Sequence, residues 1–162
     1  MTGSLHSPLF RLLFLPYLVL LCAGAGLVGL MGASRVQTAY LDARRQALRD
    51  EAALLALLLA PELRADRAAE LGRKLLPIGE RIGCRITAIA EDGTVIADTM
   101  ADPARMDNHA TRPEIVEARE RGEGMQVRGS DTVHETMLYL ALRVRPPDGP
   151  GCYLRMAVPI SQ

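Results

Sequence analysis

The segment Arg85-Ile86-Thr87-Ala88-Ile89-Ala90-Glu91-Asp92-Gly93-Thr94-Val95-Ile96-Ala97-Asp98 carries the clearest β signal in the chain. Ile86, Thr87, Ile89, Val95 and Ile96 are β-branched, and Asp92-Gly93 is a dipeptide that favours a tight hairpin turn. Two strands are predicted, Arg85–Ala90 and Thr94–Asp98. Downstream, Met125–Arg128, Glu135–Val144 and Tyr153–Val158 read as three more strands, parted by the Gly129-Ser130-Asp131 turn and by the loop Pro146 to Gly151. Between the two groups, Asp102 stands before Pro103 as a capping carboxylate. Thr111-Arg112-Pro113-Glu114 matches a capping box that opens a helix to about Arg121, ended by Gly122 and Gly124. Upstream, Pro61-Glu62 opens a helix whose apolar positions Leu63, Leu71, Leu75, Ile78 and Ile82 share one face until Gly83, with a kink expected at Pro77. Hairpins at both ends of this order imply an α+β domain with an antiparallel sheet, its leading helices packed on one face.

Before this domain, Leu12 to Ala33 carries no charge and is flanked by Arg11 and Arg35. A membrane core needs about 20 helical residues, so the segment is long enough to span. A cleaved signal peptide is the competing reading, given the small residues Gly32, Ala33 and Ser34; the length of the apolar run favours an uncleaved anchor. Val36, Tyr40, Ala43, Ala47, Leu54 and Leu58 then recur at helical steps, the pattern of a stalk that continues out of the membrane and could form a dimer seam. The chain therefore divides into an N-terminal segment 1–11, a transmembrane helix 12–33, membrane-proximal helices 34–83 and a folded domain 84–162.

Composition removes several function classes. With 19 basic and 19 acidic residues and zero formal charge, no basic stripe for nucleic acid is present. No GxSxG serine, phosphate-binding glycine loop or kinase nucleotide motif occurs, and neither Cys84 nor Cys152 has the setting of a nucleophile. No catalytic residue, cofactor or metal site is expected. His109 and His134 follow no metal-ligand spacing.

The stretch Arg85 to Val144 closely resembles the extracytoplasmic PAS-like sensor domains of bacterial two-component histidine kinases, particularly those like the phosphate-regulon sensor kinase. The matching features are the strand-turn-strand ending in Asp98, then Met106, Asn108-His109, Arg112-Pro113-Glu114 and Met137-Leu138-Tyr139, in that order. The resemblance implies a five-stranded antiparallel sheet in the order 2-1-5-4-3 behind a transmembrane helix and long stalk. It also implies signal-transduction input through the membrane, with the phosphorelay kinase core and its response regulator lying beyond this stretch. A stand-alone membrane-anchored protein that binds other sensors is the alternative. By local charge, Arg35, Arg44, Arg45 and Arg49 after the span against Arg11 before it favour a cytoplasmic domain. The resemblance instead places the domain outside the inner membrane in a single-pass chain, which is the reading adopted. If the implied order holds, Cys84 and Cys152 begin antiparallel neighbours and sit too far apart to pair.

Candidate ligand-binding residues are Arg112, His109, Asn108, Tyr139 and Arg85. Arg112 can grip a carboxylate with its fork, or clamp its own loop through Asp98 or Asp107. His109 offers an imidazole that titrates near neutrality, although Asn108 and His109 also suit the plainer task of satisfying backbone groups before a helix. Tyr139 and Arg143 alternate onto one face, where Arg143 meets either a pocket or solvent. The expected partners are the membrane, a second copy through anchor and stalk, and a small ligand or partner protein.

Overall fold

The computed structural model describes residues 8–129, 136–147 and 149–160. It forms two units, Met1–Arg44 and Arg45–Gln162. Helix α1, Pro8–Leu59, contributes to both. In the first unit, Leu12–Gly32 of α1 is long and apolar enough to cross a membrane, and Pro16 lies inside the helix.

The second unit adds the 3-10 turns Ala60–Glu62 and Ala65–Arg67, then α2 (Ala68–Ile82), a further 3-10 turn at Pro103–Arg105 and α3 (Pro113–Arg121). Its strands are β1 (Arg85–Ala90), β2 (Val95–Asp98), β3 (Glu123–Gly129), β4 (Thr136–Val144) and β5 (Cys152–Pro159). They pair in the order β2-β1-β5-β4-β3, antiparallel throughout, as expected. The helix expected from Pro61 instead begins at Ala68. Leu63 leaves helical geometry and Arg64 is extended, which breaks the chain while letting Leu63 reach the core. Pro77 sits inside α2 without ending it, and Gly83 closes the helix in a left-handed conformation as Cys84 N–H donates to the Gly79 carbonyl.

The two faces of the sheet have different roles. Ile86, Ala88, Leu138, Leu140, Leu154 and Met156 pack against Leu71 and Leu75 of α2 and Leu48, Ala52 and Leu59 of α1. The stalk stripe read from the sequence is not the face used here: Leu54 and Leu58 point to solvent, while Leu48, Ala52 and Leu59 are buried. On the opposite sheet face, Ile89, Ala141 and Tyr153 pack under Ile115 and Ala118 of α3. Gly124 makes that close packing possible, because a Cβ there would collide with the Glu114 carbonyl oxygen.

The β1–β2 hairpin turns at Gly93, whose φ of 91° favours glycine. It also anchors the following loop. His109 N–H donates to the Gly93 carbonyl at 2.8 Å, and Asn108 Nδ2 donates to the Asp92 carbonyl at 3.0 Å. Cys84 and Cys152 are both free and buried, and the β1–β5 register sets Cys152 opposite Ala90, at the far end of β1 from Cys84. Burial, reinforced by the charge of Glu91, pushes the Cys152 thiol up to about 11.

Candidate functional site

Strand alternation places Arg85 and Thr87 of β1, Tyr139 of β4 and Arg155 of β5 on the α3 face, in a stretch that α3 does not cover with apolar side chains. A cleft of about 450 Å³ opens above them. Arg128 of β3 closes one side. The loop after β2 closes the other, through Asp102, Arg105, Met106, Asp107, His109 and Arg112.

Among the described residues, the floor is a polar network in which arginines outnumber carboxylates. Arg85 Nε donates to both oxygens of Asp98, at 3.2 and 3.0 Å, and Thr87 Oγ1 donates to Asp98 Oδ2 at 2.7 Å. Arg155 donates to Thr87 Oγ1 at 3.1 Å and to Glu114 at 3.4 Å. Arg128 meets the same Glu114 carboxylate at 3.0 Å, its guanidinium lying 4.0 Å from the centre of the Tyr139 ring. Three guanidinium groups thus share two buried carboxylates. Arg155 is 3 % exposed, and its Nε is buried without a hydrogen-bond partner. Burial lowers its pKa to about 10, where it still carries its charge at neutral pH.

Glu114 is fully buried. Burial by itself would raise its pKa, but hydrogen bonds and the charges of Arg128 and Arg155 prevail and hold the carboxyl below its ordinary value. His109 is buried too, with Nδ1 at 2.7 Å from the Asp107 carbonyl. Because a carbonyl only accepts, Nδ1 carries the proton. Burial first, and then the charge of Arg155, push the imidazole pKa below its ordinary value, which favours the neutral ring in the cleft wall.

Of the five residues expected from sequence, Arg85, His109, Arg112 and Tyr139 meet in the cleft, whereas Asn108 is spent on the hairpin and on Ala110 N–H. Asp98, one of two acids expected to clamp Arg112, is occupied by Arg85, Thr87 and the N–H groups of Met100 and Ala101. Arg143 lies outside the cleft and pairs with Glu91 at 2.7 Å. The expected capping box at Thr111 is also corrected. Arg112 is the N-cap and makes no side-chain cap, while Glu114 turns into the network. Sequence reasoning passed over Arg128, Arg155 and Glu114. The available signal was Arg155, a lone charge inside the otherwise apolar run Cys152 to Val158. His134 lies outside the described residues, among which no group of three metal-binding side chains occurs.

A protein-family model described as single Cache-like matches residues 38–159. Comparison with curated proteins finds no match. Among solved structures, the sensor domain of the V. cholerae histidine kinase DctB is similar, with 17% identity and a TM-score of 0.60 over 82% of this chain and 57% of that one. The ligand-binding domain of the Campylobacter jejuni chemoreceptor Tlp3, in complex with 4-methylisoleucine, gives 14% identity and 0.59 over 74% and 52%. That of the Pseudomonas aeruginosa PAO1 amino acid chemoreceptor PctC, in complex with GABA, gives 21% and 0.54 over 86% and 61%. At these identities the likeness is one of fold, and a PAS-like sensor fold fits it. The chain spans between about half and three fifths of the length of each of these chains.

Proposed function

Because this chain belongs to the single Cache-like family, we propose that it is the extracytoplasmic sensor portion of a membrane signalling receptor and binds a small carboxylate in the arginine-lined cleft. The observation that carries this reading is Arg155: a buried guanidinium at the cleft with two nitrogens held by Glu114 and Thr87 and Nε unpartnered. The ligands named for the similar chemoreceptor domains, 4-methylisoleucine and GABA, both carry a carboxylate, which supports the same class here. In this reading residues 1–11 are cytoplasmic, 12–33 cross the inner membrane, 34–83 form the membrane-proximal helices and 84–162 sense. Ligand binding favours one arrangement of the domain, and the buried positions Leu48, Ala52 and Leu59 couple that arrangement to α1. The output is a two-component histidine kinase core in the parent receptor. The narrower likeness to the phosphate-regulon sensor kinase rests on Met106, Asn108-His109 and Met137-Leu138-Tyr139.

The full chain in lipid nanodiscs, titrated calorimetrically with acetate, GABA and asparagine, tests the reading. At least one is expected to bind, with Arg155→Lys, which keeps the charge and loses the planar fork, weakening it about tenfold or more. Failure of all three to bind, or an unchanged affinity in the variant, would sink it.

A homodimer through the anchor and stalk belongs to the same proposal. Leu54, Leu57 and Leu58 are exposed on α1, an apolar surface that a second copy would cover. Light scattering of the detergent-solubilised chain is expected to give a dimer, and the Leu54→Glu, Leu58→Glu double variant a monomer. Equal masses for the two would count against the seam.

A further inference from the structure

The α3 face of the sheet changes character every two residues. Along β5 it runs from Tyr153, under α3, to Arg155 in the cleft and then to Ala157; along β4 it runs from Ala141 to Tyr139 to Met137. Each step advances about 7 Å along the strand. Past the arginine band lies a second cavity of about 570 Å³, with Met137, Ala157 and Pro159 on the sheet side, Thr99 and Met100 on the loop side, and the end of α2, Gly79, Glu80 and Gly83, closing it beside Cys84. Arg85 lines both cavities. Its side chain is only 4% exposed and its Nε is committed to Asp98, so it borders the second cavity with its charge already paired.

We propose that the two cavities serve one ligand, a carboxylate bearing an apolar tail, with its head at Arg155 and its tail beyond Arg85 against Met137, Ala157 and Met100. This deepens, and rests on, the carboxylate-receptor reading. Three observations select this occupant. The cavities share a wall, they follow one another along one sheet face, and the arginine-rich band gives way to an apolar one within a distance of about 7 Å. A ligand lacking the tail would leave water against the methionine, alanine and proline side chains on the sheet and loop sides of the second cavity. A ligand lacking the head would leave the buried Nε of Arg155 unmatched.

The test is a series of straight-chain acids, acetate, butyrate, hexanoate and octanoate, titrated into the full chain in nanodiscs with empty nanodiscs as the reference. Once the tail passes Arg85, affinity is expected to rise about threefold to fourfold per added methylene. Ala157→Met fills the cavity and is expected to abolish that rise while leaving acetate and butyrate unchanged. Met100→Ser, at an exposed position, is expected to flatten the rise without disturbing the fold. Equal affinity along the series, or a rise that survives both variants, overturns the extension and leaves the carboxylate reading intact. Absence of binding by every acid of the series while GABA or asparagine still binds overturns the extension alone; absence of binding by the series and by GABA and asparagine overturns both.

Discussion

Replacing Glu114 by alanine is expected to lower the stability of the sensor domain by about 3 to 5 kcal/mol, the range for removing one partner from a buried ion pair. The carboxylate has no exposed surface and is shared by Arg128 and Arg155. Its loss leaves Arg155 buried with no carboxylate hydrogen-bonded to it among the described residues, held by the Thr87 hydroxyl and the face of the Tyr139 ring. The midpoint of thermal unfolding, followed by circular dichroism on the full chain in nanodiscs, is expected to fall by about 10 to 20 °C. Glu114→Gln keeps the shape and one acceptor and is expected to cost less. A shift under about 3 °C for the alanine variant would show that the network contributes little. The same carboxylate sets a pH limit. Its folded pKa lies below the ordinary 4.5, so its stabilisation is complete above that value and is lost as pH falls through the lower folded pKa.

Asp98→Ala is expected to cost a similar amount, about 3 to 5 kcal/mol, for a different reason. Asp98 accepts from Arg85, Thr87 and the backbone N–H groups of Met100 and Ala101, so it joins the floor of the cleft to the loop that forms its wall. Removing it strands a buried guanidinium and frees two amides together. Hydrogen exchange is therefore expected to quicken at Met100 and Ala101 by more than at the β4–β5 ladder. Uniform acceleration across the domain would indicate a general loss of stability and count against the specific link.

The strands were legible because their signals are local, whereas their order came from the resemblance. Alternating β-branched residues around Asp92-Gly93 specify a hairpin without reference to the rest of the chain, and the observed β1 and β2 lie within one residue of the expected bounds. The start of α2 was not legible. Pro61 and Glu62 suit the first turn of a helix, but burial of Leu63 outweighs the local preference and the helix waits until Ala68. The site divides in the same way. Arg85, His109, Arg112 and Tyr139 lie within the stretch where motif and alternation could be read together. Arg155 meets them only through pairing with Thr87, a contact between strands far apart in sequence. Glu114 was misread because a local rule, the capping box, applies equally well to a carboxylate that tertiary contacts have claimed for two arginines.

Strand order also governs how the domain comes into being. β5, made last, sits between β1 and β4, and its register joins residues about seventy positions apart, as in Arg85 and Ala157. Until it arrives, the β1–β2 and β3–β4 hairpins share no ladder, and each presents an open edge. Assembly therefore cannot proceed from the N-terminus as the chain emerges. Completion of the sheet, and delivery of Arg155 to Glu114, is expected to depend on one non-local insertion that carries a large loop-closure cost.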